Sequence, residues 1–304
     1  MIASNYAAKD PDVSVIIVTL GKRISEFKAC LNSILRQTYK DFEIIIVNDG
    51  PPEPIKTIAH SLNSNDRIVL IHNLTQVGPA VARNIATHYA KGKYLAFIDD
   101  DSIADENWLE TLIQAYENPR VGGVGGTTIQ FYSRRIKQKS KFSLAVDTLY
   151  ERIDDVTDTE FLCGTNMSFR RDIFEEVGGF DEYLGKISFF EDTDISLSVK
   201  EKGYKLMCQP AAIVVHYDIS HGGCTPRVDE HWYWFSRNRL YVVLKHPKFF
   251  YSIITITYFS VNCFLKFFRR CVANRHSPKT WFMGIFYIFK GLIEAIIVHF
   301  INKK

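Results

Sequence analysis

Acid is almost missing from the last quarter of the chain. Residues 231–304 hold 12 Lys and Arg and a single acid, Glu294, whereas residues 1–230 hold 25 Lys and Arg against 33 Asp and Glu. The overall charge of +3 is therefore the difference between an acidic body of about −8 and a basic tail of about +11. An acidic body with a basic, aromatic tail points to a soluble domain held at an anionic membrane surface and away from nucleic acid. Paired cysteines are missing too. Cys30, Cys163, Cys208, Cys224, Cys263 and Cys271 contain no Cys-x-x-Cys, which argues against a disulfide framework and a structural zinc and leaves a reducing cytosol as the default compartment. Residues 1–10 hold no apolar core of signal-peptide length, so nothing indicates secretion. There is no internal repeat, no low-complexity tract, and no Gly-x-Gly-x-x-Gly turn after the first apolar run, where Gly21-Lys22-Arg23 stands instead. What is there is a chain of 304 residues, 46% hydrophobic, which excludes a mostly disordered protein and suffices for one large α/β domain or two smaller ones.

From Val13 onward, short β-branched runs alternate with longer amphipathic stretches, the pattern of βαβ units and a parallel sheet. Strands are predicted at 13–19, 42–47, 67–72 and 94–98, with helices at 24–36, 53–63 and 79–90. Pro79 suits a first helical turn. A helix at 106–117 and a strand at 122–128 follow, then a polar, basic stretch at 132–158 that reads as a loop or lid. Beyond it come an extended segment at 161–170, a helical 171–176, a bend at Gly178-Gly179, a helix at 192–203 and a strand at 212–216.

Three consecutive acids, Asp99, Asp100 and Asp101, end the run Tyr94-Leu95-Ala96-Phe97-Ile98. At the carboxyl end of a buried strand such acids repel one another unless a cation arrives, and that edge is where open α/β sheets bind ligands. Asp99 and Asp101, two apart, can converge on one hard divalent cation carrying phosphates, with Asp100 directed elsewhere, toward a ribose hydroxyl. A helix cap by Asp101 or Ser102 is the alternative, and it explains one acid of the three. Asp49, in Asn48-Asp49-Gly50 after the second strand, can accept from the imide N–H of a pyrimidine or simply build a turn. Thr19 at the end of the first strand has the same two readings. Arg83, one turn into its helix, pairs with a diphosphate or with a core acid. In Phe189-Phe190-Glu191-Asp192-Thr193-Asp194 the acids open a helix. Asp192 is then either a dipole-favoured terminus or a carboxylate base whose pKa the two Phe residues raise. His216 ends an apolar strand at the same edge, as a structural imidazole or as a ligand.

Taken in order, strand-Thr19, Asn48-Asp49-Gly50, Gly78-Pro79-Ala80-Val81-Ala82-Arg83-Asn84, Asp99-Asp100-Asp101, Gly164-Thr165-Asn166-Met167-Ser168, Gly178-Gly179-Phe180-Asp181, Glu191-Asp192, Gly203-Tyr204 and His216 resemble the family-2 glycosyltransferases with the GT-A fold. The resemblance covers about residues 13–246. It implies an α/β, Rossmann-like, mostly parallel sheet flanked by helices, and inverting sugar transfer from a nucleotide-sugar donor, as in rhamnosyltransferase-like envelope glycan enzymes. It further implies that Asp49 holds the base, Arg83 assists at the nucleotide, and Asp99 and Asp101 form the metal and ribose site with Asp100 beside them. His216 would be a third ligand to Mn2+ or Mg2+, Asp192 the base, Glu191 its assistant, and Gly164 to Ser168, with Asn166, the sugar pocket. Where processive members carry Gln-x-x-Arg-Trp, this chain reads Trp234-Phe235-Ser236-Arg237-Asn238-Arg239. The implied enzyme is thus non-processive, with Arg237 placed at the leaving diphosphate or the acceptor, or as a charge facing a membrane. The expected donor is a UDP- or dTDP-sugar. A nucleotidyltransferase-like enzyme and a catalytically silent scaffold are the rival readings.

The expected division is 1–246 as the glycosyltransferase domain, with 12–128 as its nucleotide-binding half and 159–246 as its acceptor-binding half, and 247–304 as basic, hydrophobic, membrane-associating helices. The only charge in 249–268 is Lys266, while 281–301 carries Lys290 and Glu294. Each run is long enough for a bilayer, which takes about 20 apolar residues. Polar Ser252, Thr255, Thr257, Ser260 and Asn262, with basic residues on both sides, favour helices in the interface or a shallow hairpin over clean spanning. Helices packed on the body are the plainer alternative. A lipid-linked or glycan acceptor at the cytoplasmic face of the membrane is the corresponding expectation.

Overall fold

Val13–Thr19 forms the central strand β1, apolar in nearly every position because helices cover the sheet on both faces. The computed structural model describes residues 10–53, 55, 57–58, 67–130, 156–187, 189–217, 228–247, 264–269, 272 and 278–302. Around β1 lie β2 (Phe42–Asn48), β3 (Ile68–His72), β4 (Tyr94–Asp99), β5 (Ser102–Ala104), β6 (Val121–Gln130), β7 (Thr157–Asp158), β8 (Asn166–Arg170) and β9 (Lys205–His216). Among the described residues the sheet runs β3-β2-β1-β4-β8-β6-β9-β5, with β7 against β9. The first four strands are parallel, β8 is antiparallel to both β4 and β6, and β6 is parallel to β9. The helices are α1 (Ile24–Leu35), α2 (Pro79–Tyr89), α3 (Trp108–Gln114), α4 (Arg171–Glu176), α5 (Glu191–Glu201), α6 (Val228–Lys245) and α7 (Pro278–Asn302).

Alternation along the strands splits the core in two. Val13, Val15 and Ile17 pack with Phe27 and Leu31 of α1 and Trp108 of α3 on one face. Ile16, Ile45 and Phe97 pack with Ala82 and Ala86 of α2, Phe174 and Phe180 on the other. Chain order leaves β1 in opposite directions toward β2 and β4, so the topological switch point, where a crevice opens at the carboxyl edge, falls between β1 and β4.

Several expected elements change length. The segment 161–170 becomes a strand only from Asn166. Strand β9 starts at Lys205, seven residues before the expected 212. Pro210 had hidden it: the register jumps from Gly126↔Gln209 to Thr127↔Ile213, so the proline sits in a bulge where a ladder donor is dispensable. Gly126 is required at that bulge, because a Cβ there would lie 1.9 Å from the carbonyl oxygen of Ala212. Strand β5, for which the sequence predicted no element, pairs antiparallel with β9 and sets Ser102 opposite His216. The helix expected at 53–63 is described only at residues 53, 55, 57 and 58, and the basic stretch 132–158 and the tail run 249–268 lie largely outside the described residues.

The tail element that is described, α7, packs along α6. Gly291 brings the two helices together, since a Cβ there would stand 2.5 Å from the Tyr233 carbonyl oxygen. Leu240, Tyr241, Val242 and Ala295 fill one part of the seam, and Trp232, Phe267 and Ile288 another. One face of α7 is thus core. The opposite face exposes Phe286, Phe289, Ile293, Ile296 and Phe300.

Candidate active site

At the switch point the acids are arranged with cations between them. Thr19 at the end of β1 donates its hydroxyl to Asp100 (Oγ1 to Oδ2, 2.6 Å) and receives the Gly21 N–H at 3.0 Å. Asp99 takes Arg83 Nη2 on Oδ1 at 3.1 Å, and Arg83 Nη1 reaches Glu191 Oε1 at 2.7 Å. Arg83 therefore pairs with core acids and joins the end of β4 to the start of α5. Its own placement depends on Asp49, whose Oδ1 accepts from Asn73 Nδ2 and the Val77 N–H and whose Oδ2 accepts from the Gly78 N–H, at 2.8 to 2.9 Å. Those two amides open α2. Expected as a base contact, Asp49 is buried and anchors this loop, with three of its roughly four acceptor positions in use. Gly50 serves a backbone crossing: a Cβ there would sit 2.0 Å from the Leu20 carbonyl oxygen.

Asp101 pairs through Oδ2 with Arg23, which stands 3.5 Å from Asp100 as well, and through Oδ1 lies 3.2 Å from His216 Nε2. Burial pushes the Asp100 carboxyl up to about 7 against the opposing Thr19 hydrogen bond and Arg23 charge. Ligand atoms of Asp99, Asp101 and His216 all fall within 4.8 Å of one another, so one ion could meet all three. The donor chemistry fits. His216 Nδ1 is 3.2 Å from Gln130 Oε1, and an Nδ1–H tautomer bonded there would free Nε2, 3.2 Å from Asp101 Oδ1, for a cation. An imidazole beside two carboxylates suits a cation of the Mn2+ or Mg2+ kind.

Asp192 accepts the Gly164 N–H on Oδ2 at 3.0 Å and the Thr193 N–H on Oδ1 at 2.7 Å, which fixes its carboxylate at the start of α5. Phe190, just before the helix, holds φ 72, a left-handed backbone that a bulky residue adopts only under constraint. The strain sits at the turn that presents Glu191 and Asp192. Burial, with the Asp192 charge adding to it, lifts Glu191 to about 7, against the pull of Arg83. Asp192 also lines an apolar cavity of about 280 Å³ walled by Phe161, Leu162, Phe189, Phe190 and Phe235.

Two residues expected at the donor have partners within the fold. Asn166 is fully buried: its Oδ1 accepts the Trp108 indole N–H and its Nδ2 donates to the Thr127 and Ala212 carbonyls, so it ties β6, β8, β9 and α3 together instead of lining a sugar pocket. Gly164 does face the site, with the place of its missing side chain 3.5 Å from Asp192 Oδ2. Arg237 is committed to the helical seam. It bonds the Tyr183 carbonyl at 2.7 Å and Glu294 of α7 at 3.2 Å, and it covers the Trp234 ring. Arg23 and Gln130 were not singled out from the sequence. Arg23 carried one legible signal, a cation just past the carboxyl end of β1, whereas Gln130 meets His216 only through the β6–β9 register.

The glycosyl transferase family 2 model matches residues 14–178. A glucosyl-dolichyl phosphate glucuronosyltransferase of Haloferax volcanii is 33% identical over 182 residues, 57% of this chain and 57% of its own length, so the chain spans little more than half of that relative. The solved mannosyltransferase PcManGT of Pyrobaculum calidifontis, in complex with GDP-Man and Mn2+, superposes with a TM-score of 0.57 over 95% of this chain and 88% of that one at 14% identity. GalNAc-T7 with UDP, GalNAc and Mn2+ gives 0.59 over 80% of this chain and 51% of that one at 18% identity. A Rossmann-like sheet with a split, mixed second half and an acidic switch point defines the GT-A class of transferases. The chain belongs to glycosyl transferase family 2.

Proposed function

We propose that the protein moves one sugar from a nucleotide-sugar donor to a hydroxyl of a lipid-linked or glycan acceptor, with inversion at the anomeric carbon, at the cytoplasmic face of a membrane. The observation that carries this reading is the Arg83 bridge. It sets the acid cluster of Asp99 and Asp101 beside the carboxylates of Glu191 and Asp192, so leaving-group and nucleophile chemistry share one site. A divalent cation held by Asp99, Asp101 and His216 would neutralise the departing diphosphate. Asp192, oriented by the Gly164 and Thr193 amides, takes the acceptor's hydroxyl proton as the oxygen bonds to the anomeric carbon and the carbon–diphosphate bond breaks on the opposite side. Glu191 and Arg83 keep the site's charge balanced as that proton moves. The aromatic wall of the cavity at Asp192 suits an acceptor with an apolar body.

Support for the membrane comes from α7, which at 25 residues is long and apolar enough to cross one, yet lies bonded along α6 with its second face exposed. That arrangement favours a helix lying in the interface. Asp49 is already bonded by the chain, so a donor screen should pair UDP- and dTDP-sugars with GDP-sugars. Asp192→Asn should abolish transfer, by at least about 10³-fold, while donor binding by thermal shift with Mn2+ is retained. Near-normal turnover in that variant would remove the base assignment.

A further inference from the structure

The acid cluster carries its own internal counter-charge at a residue with no assigned role. Arg23 lies in the turn from β1 to α1, on the same carboxyl edge as the acids, and only 10% of its side chain is exposed. Its Nη1 contacts Asp101 Oδ2 and stands 3.5 Å from Asp100 Oδ1, so one guanidinium serves two of the three consecutive aspartates. It takes the Asp101 oxygen that faces away from His216, leaving Oδ1 directed at the imidazole 3.2 Å away. Arg83 does the same for Asp99, bonding Oδ1. Each acid that could hold the ion is thus paired with an arginine through one oxygen, and both arginines are nearly buried, where screening is weak.

We infer that Arg23 is a positioning residue that sets the affinity of the cation site, holding it low in the absence of donor. This role rests on the metal site proposed above and is electrostatic in origin. A buried positive charge bonded to a ligand carboxylate withdraws part of that ligand's attraction for a dication, so the ion binds firmly only when the donor's diphosphate brings further negative charge. Cation and diphosphate then favour each other's binding reciprocally, and Arg23 sets how weak the cation site is before the donor arrives.

The test reads Mn2+ binding alone, by electron paramagnetic resonance of the unbound ion, on the full chain without nucleotide. Arg23→Gln should bind Mn2+ about tenfold more tightly than the parent. Arg23→Lys, which keeps the charge, should stay within about twofold, and circular dichroism should show both variants folded. His216→Ala serves as the reference for the site itself. If the parent binds Mn2+ and His216→Ala does not, yet Arg23→Gln binds no more tightly than the parent, the role given to Arg23 is overturned while the site stands. If the parent and His216→Ala bind Mn2+ equally, the metal site is overturned and the inference with it.

Discussion

Replacing Arg83 with Met keeps the length of the side chain and removes the charge that two carboxylates share. The Arg83 side chain is 8% exposed, that of Glu191 13% and that of Asp99 32%, so both partners would be left in a poorly solvated pocket that already holds Asp101 and Asp192. Breaking one side of a buried pair costs about 3–5 kcal/mol. The variant has one escape, which is to protonate. Glu191 sits near 7 with Arg83 opposing the shift, so at pH 5.5 it is already largely neutral and needs little counter-charge, and without Arg83 it rises further. The loss should therefore be about 3–5 kcal/mol at pH 8 and about half that at pH 5.5. Adding Glu191→Gln should recover about 1–2 kcal/mol at the higher pH, because an amide needs no counter-charge. Urea unfolding followed by tryptophan fluorescence, in detergent and EDTA, measures all three. A loss below about 1 kcal/mol at pH 8, or an equal loss at both pH values, would refute the view that Arg83 holds the two acids together.

Without metal, stability should fall as pH rises from about 4.5 to about 7. Glu191 binds its proton more tightly folded than unfolded, so its contribution is complete below the unfolded value of 4.5 and lost on passing the folded value near 7. Glu191→Gln should flatten that part of a melting-temperature profile, and an unchanged slope would count against the raised pKa. Gln130→Leu should weaken Mn2+ binding about tenfold by leaving His216 Nδ1 without its acceptor, read by isothermal calorimetry. Phe286→Gln with Phe289→Gln should lower partitioning onto anionic vesicles by at least about 100-fold, at about 1.5–3 kcal/mol for each buried phenyl ring. Equal flotation of parent and variant would mean that this face of α7 does not meet lipid.

Local chemistry was legible where it repeats along the chain. Val13–Thr19, Phe42–Asn48 and Tyr94–Asp99 announced parallel strands through short, mostly apolar, β-branched or aromatic runs. Asp99 to Asp101 announced a charged edge, because three adjacent carboxylates at a strand end repel one another until a cation lies between them. Pro210 misled, because proline reads as a strand end unless the partner strand is known to have a bulge. Asn166 and Arg237 show the same limit of local reading. A polar side chain looks the same in sequence whether it meets a ligand or backbone carbonyls, and both of these bond backbone carbonyls. The tail's composition announced an affinity for apolar surroundings without dividing it between protein and lipid. Packing against α6 made that division, giving Ile288 and Ala295 to the core and leaving Phe289 and Ile293 outside.

By itself the sequence determined the layered α/β architecture, the family and the acid-rich edge, since period, composition and short motifs are properties of neighbouring residues. Tertiary structure alone decided which cation meets which acid. Arg23 and Asp101 are 78 positions apart and Arg83 and Glu191 are 108, and charges so distant in sequence acquire an interaction only when strand order brings their ends to one crevice.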